Sequence, residues 1–210
     1  MVPEVRPDVR LDSAFDGPQS LTDGTRVVLA PLGPGDRADL IEGFANLSRE
    51  SRYLRFFSAM PHLPGPIVDG LLATDEYRHY AVCARRIDAH GKLRPPIVGV
   101  ARYFRDETEP VVAEPAVAVI DDLQRCGLGR LLLRALARHA RAHGIERYRA
   151  HALASNERIM HMLAASNGSV VERDGPVVVY DIDIRPRPRS QPRRRRLRDI
   201  LRALLPPSHR

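Results

Sequence analysis

Six consecutive residues, Gln124-Arg125-Cys126-Gly127-Leu128-Gly129, are suited to holding an anion. They follow the alternating run Ala116–Ile120 and precede Leu131, Leu132, Ala135, Leu136 and Ala140 at helical spacing, so the segment reads as strand, glycine-bearing turn and amphipathic helix. Gly127 and Gly129 let the backbone turn tightly and aim successive N–H groups at one point, where the helix dipole favours negative charge. Leu128 and Arg130 would add backbone donors at the helix start, and the side chains of Arg125 and Arg130 would bring positive charge. The segment is not a G-x-x-x-x-G-K-[ST] loop, and position 132 is Leu where a dinucleotide fingerprint needs a third Gly or Ala. A nucleoside triphosphate and a dinucleotide are therefore disfavoured as the anion.

Other reactive side chains carry weaker signals. Cys83 lies in an apolar run and reads as a small core residue. Cys126 sits in the anion loop, where helix-end polarity would lower its pKa, but no base is evident to make it a nucleophile. Two cysteines supply no disulfide framework and no zinc ligand set. His139 and His143 are four apart on the helix after the loop, yet no H-E-x-x-H string or third ligand accompanies them, so they read as a solvated face and no metal is expected.

The elements that must position the loop follow from periodicity and turn residues. A strand is expected at 25–31, helices at 36–47, 50–58 and 66–73, and strands at 79–87 and 97–104 around the polar turn Asp88–Lys92. A strand at 115–120, the loop helix at 127–143, a strand at 147–153, a helix at 156–166 and a final strand pair complete the pattern. Helices interspersed among strands predict a mixed α/β sheet flanked by helices.

The loop resembles the Q/R-x-x-G-x-G/A motif of the GNAT acetyltransferases, which cradles the pyrophosphate of coenzyme A. The resemblance extends through Leu21–Asp36, Leu47–Phe57, Val112–Val119 and Ala152–Met160, covering residues 21–184, and is similar to the catalytic domain of bacterial protein lysine acetyltransferases. It implies the acyl-CoA N-acyltransferase fold, acetyl-CoA as cosubstrate, and an amine acceptor, either a small molecule or a protein lysine. It also implies direct attack in a ternary complex. A noncatalytic acyl-CoA-binding regulatory module, acting through the basic tail, is the alternative.

On this resemblance the coenzyme is held by the loop residues 124–130, by backbone groups of Val117 and Val119, and by Asn156, which is also placed to cap a helix. An amine with a pKa near 10.4 is free about once in 2,500 molecules at pH 7, so freeing it costs about 4.6 kcal/mol and calls for a base. Glu114 occupies the position of the family's glutamate base, though Pro115 beside it donates no ladder bond and sets the question of where that side chain points. The family's tyrosine acid, seven residues after the asparagine, is replaced by Leu163, and no general acid is assigned.

The chain of 210 residues carries +7, but residues 185–210 contain ten Arg and one Asp, a charge of +9, leaving −2 elsewhere. The near-neutral remainder has no general nucleic-acid footprint. Residues 1–20, rich in Pro, Asp and Gly, read as a mobile lead, and 185–210 as an Arg/Pro-rich tail with a short amphipathic helix able to meet an anionic partner or membrane surface. No signal peptide or apolar run of about 18 residues is evident, which sets a cytoplasmic expectation.

Overall fold

The structure, a computed structural model, describes residues 17–166 and 168–186. Strands β1 (Gln19–Ser20), β2 (Arg26–Pro31), β3 (His79–Ile87), β4 (Leu93–Arg105) and β5 (Val112–Val119) pair in succession, each antiparallel to the last. Helices α1 (Arg37–Ala45), α2 (Arg49–Phe56) and α3 (Gly65–Leu72) lie between β2 and β3. After β5 come α4 (Leu128–Ala142), β6 (Arg147–Leu153), α5 (Glu157–Ala165), β7 (Ser169–Asp174) and β8 (Val177–Asp183). The sheet order is β1-β2-β3-β4-β5-β6-β8-β7, with β5 and β6 as its parallel pair.

Opposite faces of β4 receive α1 and α4. A β-carbon on Gly43 of α1 would collide with the Ile97 carbonyl oxygen, so the missing side chain lets the helix lie directly on the strand. Across the sheet, α4 buries Leu128, Leu132, Ala135, Leu136 and Ala140, and Leu132 packs against Gly99. Leu131 is only half-buried, so Leu128 takes the place expected for it in the stripe. The α1 helix is tied to β3 by Arg85, 8% exposed, which donates to Asp36 at 2.7 Å and Asp39 at 3.0 Å.

Several boundaries depart from the sequence expectation for identifiable reasons. Strand β4 starts at Leu93, not 97, because pairing resumes beyond Pro95 and Pro96; the register passes over these two donor-free residues, from Ile97↔Arg85 to Arg94↔Arg86. Strand β5 starts at Val112, not 115, because buried Val112 and Ala113 make the short ladder with β6. Gln19 and Ser20, placed within the unpatterned lead, pair with Val27 and Arg26. Ile184, at the edge of the expected tail, is 9% exposed and donates its N–H to the Glu146 carbonyl at 2.9 Å, so the packed unit runs through it. The rest of the lead and the proposed tail helix lie outside the described residues.

The expectation of a solvated His139–His143 face is corrected. His139 turns inward, stacked on Tyr80 with ring centroids 3.4 Å apart, and its Nδ1 meets the Tyr103 hydroxyl at 3.1 Å. His143 stacks on it at 4.0 Å. Burial first, and then the neighbouring His143, push the His139 pKa down to about 3. The unfolded imidazole takes up its proton near 6.5, so between those values the unfolded chain binds the extra proton and stability falls as pH falls. Stability is therefore expected to decline below about pH 6.5 with a slope containing one proton, about 1.4 kcal/mol per pH unit, from His139. Denaturant titrations at pH 7, 6 and 5 should show that contribution removed in His139→Phe. An unchanged slope in the variant would refute it. His79, whose pKa is also lowered by burial and by Arg102, acts in the same direction and persists in the variant.

Candidate active site

The loop forms the turn that its glycines predict, with one refinement. Gly127 is the N-cap of α4 at φ +88°, and Arg125 also has a positive φ of 66°. A side chain at Gly127 would be strained by the backbone, whereas one at Gly129 would meet Val119 at an ordinary 3.7 Å. The turn geometry therefore requires glycine at 127 and not at 129. No side chain caps the N-terminus of α4, and its first intrahelical bond is donated by Leu131 to Gly127. The amides of Leu128, Gly129 and Arg130 precede that bond and point out of the helix start. Leu128 offers only this amide, since its side chain is fully buried. Arg125 and Arg130 are exposed beside it. The β1–β2 turn braces the loop through Thr22 N–H, which donates to the Cys126 carbonyl at 3.1 Å.

Cys126 differs from expectation. Desolvation, followed by its contact with Asp23, raises the thiol pKa instead of lowering it. Cys83 is fully buried and pushed up to about 12, as suits a core residue. Gln124 reaches inward: its Nε2 donates to Ser51 Oγ at 3.0 Å and to the Val119 carbonyl at 3.1 Å, while its Oε1 accepts from Arg158. Asp121 completes the tie by accepting from Ser48 N–H and Oγ, both at 2.8 Å, and from Ser51 Oγ at 2.9 Å. The end of β5 is thereby fastened to α2 and α5.

Strands β5 and β6 pair only at Val112↔Arg147 and Ala113↔Tyr148, then diverge. Ile120 N–H donates to Val98 O on the β4 side, so by strand alternation the backbone groups of Pro115, Val117 and Val119 face the other way, into the opening. Pro115 thus stands where the parallel ladder stops, at a position that requires no donor toward β4. Asn156 Oδ1, at the start of α5, accepts from Ile159 N–H at 3.2 Å; the capping role is present in the structure. Leu163 is 6% exposed and packs in the core.

Pro115 leaves the register intact, and Glu114 lies on the same face as Ala116 and Ala118. Those two residues line a small apolar cleft, about 50 Å³, between the sheet and α1, α2 and α3, with Leu40, Phe44, Ile97 and the guanidinium-bearing Arg55 and Arg102. The Glu114 side chain is 58% exposed, and across the opening His151 Nδ1 lies 3.6 Å from its Oε1. Sequence reading missed His151, Arg55 and Arg102. A charged residue within the apolar strand Ile97–Tyr103 was a visible signal for Arg102, whereas nothing along the chain announces that His151 sits opposite Glu114. Arg102 is 3% exposed, and burial, followed by repulsion from Arg55, lowers its pKa to about 9. Arg55 is lowered by burial, partly offset by the charge of Glu114.

Among the described residues no three His, Cys, Asp or Glu side chains gather to hold a metal, and no helix is long and apolar enough to cross a membrane. The parallel strand pair splays toward a glycine-turned helix start, and a carboxylate stands at its mouth. The acetyltransferase (GNAT) family model matches residues 44–168, and the chain belongs to that family and is an acyltransferase. It is 32% identical over 156 residues to the acetyltransferase PA5475 of Pseudomonas aeruginosa, covering 74% of this chain and 81% of that one. Its identity to the acetyltransferase Pat of Mycolicibacterium smegmatis is 28% over 169 residues, 80% of this chain but 49% of that protein, so it spans about half the length of that relative. The GNAT domain of S. lividans PAT superposes with a TM-score of 0.73 at 23% identity, over 83% of this chain and 99% of the other. The Salmonella typhimurium protein yncA, solved with its cofactor acetyl-CoA, superposes with a TM-score of 0.58 at 13% identity, over 77% and 95% of the two chains.

Proposed function

We propose that the protein transfers an acetyl group from acetyl-CoA to a primary amine, on a small molecule or a protein lysine, by direct attack in a ternary complex. The observation that carries this reading is the divergence of β5 from β6 immediately after Ala113, with Glu114 at the mouth and the free amides of α4 at the far end. The yncA complex with acetyl-CoA supports the choice of cosubstrate. The diphosphate is held at the amides of Leu128, Gly129 and Arg130, with Arg125 and Arg130 adding charge, and the pantetheine arm lies along the backbone of Val117 and Val119 beside Asn156. Acetyl-CoA as cosubstrate supports a cytoplasmic address.

Glu114 takes a proton from the substrate ammonium, and His151 passes it to solvent. The freed nitrogen lone pair attacks the thioester carbonyl, forming the C–N bond, and collapse breaks C–S. The second nitrogen proton goes to the departing thiolate through water, giving the amide and free coenzyme A. A thiol pKa near 8.5 lets that sulfur leave without a dedicated acid, consistent with Leu163 at the tyrosine position. Residues 21–184 form the catalytic unit in this scheme, with 185–210 as an appended tail for an anionic partner or surface.

Initial rates of thiol release, with acetyl-CoA and a primary amine both varied, should give intersecting double-reciprocal lines. Parallel lines, the pattern of an acetyl-enzyme intermediate, would reject direct attack.

A further inference from the structure

We infer that the acceptor carries a carboxylate, held by Arg102 and Arg55 in the cleft beside Glu114, so that the substrate is a small amino acid. This rests on the acetyl-transfer reading above and narrows its acceptor. Arg102 Nη1 donates to the Leu71 carbonyl at 3.0 Å and lies 3.3 Å from His79 Nε2. His79 Nδ1 is 3.0 Å from the Ala73 carbonyl, which fixes it as the donor nitrogen and leaves Nε2 as a neutral acceptor. Arg55 comes from α2 on the facing wall, its guanidinium 4.8 Å from the Phe56 ring centroid. Among the described residues neither guanidinium has an acid within ion-pair distance. Glu114 is the acid whose charge reaches Arg55, from farther away.

Arg85 shows what this fold does with a buried arginine that serves structure: it supplies two aspartates, at 2.7 and 3.0 Å. Arg102 is more deeply buried than Arg85 and has neutral partners only, while a second cation faces the same apolar space. Two neighbouring guanidinium groups with no acid partner, one buried and one half-buried, repel each other, and a carboxylate that takes their free N–H groups relieves that cost with charge-assisted bonds. The spacing also fits. Glu114 pairs with Phe104 and Ala116 with Arg102, which makes Glu114 and Arg102 diagonal neighbours on one face, with β-carbons roughly 7 Å apart. An amine at Glu114 and a carboxylate at the arginines are then a few bonds apart, the span of an amino acid. A lysine within a protein has its own carboxyl committed to a peptide bond and offers no carboxylate at that distance.

Binding of the product pair separates this proposal from the catalytic one. Calorimetry of the full chain, loaded with coenzyme A, should show 4-acetamidobutanoate binding about tenfold to a hundredfold more tightly than N-propylacetamide, and Arg55→Met should bring the ratio close to one. Arg102→Met should do the same; because that side chain is buried and the variant can misfold, the Arg55 variant carries the test alone. Equal binding of acid and neutral amide by the wild type would overturn the proposal, as would an unchanged ratio in Arg55→Met. With a panel of amines, 4-aminobutanoate should exceed propylamine in kcat/KM. A lysine peptide that outperforms every amino acid would also overturn it, while leaving acetyl transfer intact; failure of all amines would count against the acetyl-transfer reading alone, because the binding ratio needs no turnover.

Discussion

Glu114→Gln should lower kcat/KM for amine acetylation by about 10²- to 10⁴-fold at neutral pH while leaving acetyl-CoA affinity within about twofold. The amide keeps the size of the carboxylate and loses its capacity to accept a proton. Only about one amine in 2,500 is free at pH 7, and Glu114 is the carboxylate at the mouth of the β5–β6 opening, so the deficit falls on the chemical step. The side chain is 58% exposed, which predicts a stability change within about 0.5 kcal/mol and separates loss of chemistry from loss of fold. Raising pH toward 10 should recover part of the variant's rate, since more of the amine is then free without assistance. A variant with full activity at pH 7 removes Glu114 from the mechanism.

Gly127→Glu should weaken acetyl-CoA binding by at least about a hundredfold. The backbone at this residue, with φ +88°, disfavours any side chain, and the substitution also puts a negative charge at the end of α4 where the diphosphate is proposed to lie. Two like charges about 5 Å apart at an effective dielectric near 20 repel by about 3 kcal/mol, which is the hundredfold. Gly127→Ala carries the backbone strain without the charge, so it should lose about 1–2 kcal/mol of stability and keep coenzyme affinity within tenfold. Equal affinities for wild type and a folded Gly127→Glu variant would show that the loop serves another purpose.

Most elements were legible because their signals are local. Strands 79–87 and 147–153 were expected at the bounds they have, and the stripe after Gly127 announced α4. The glycine-bearing turn before α4 was legible for the same reason: glycine positions and an alternating strand lie side by side in sequence. What escaped depends on neighbours distant along the chain. His139 reads as a polar residue on a helix face until Tyr80 and Tyr103, from two other strands, enclose it. Cys126 sits beside a helix start, yet desolvation, followed by nearby Asp23, reverses the expected direction of its pKa. The orientation of Glu114 turned on Pro115, and only the register against β4 and the end of the β6 ladder explain why a donor-free residue is tolerated there. His151 faces Glu114 because two strands part, a relation with no sequence period.

The most direct test of the account is an acetyl-CoA titration of the intact protein followed by its melting temperature. A ligand at about 100 times its dissociation constant adds about 2.7 kcal/mol of stability, so a saturable rise in Tm is expected, mirrored by coenzyme A and lost in Gly127→Glu. A melting temperature that stays fixed up to millimolar acetyl-CoA would contradict the coenzyme site, and with it the proposed acetyl transfer.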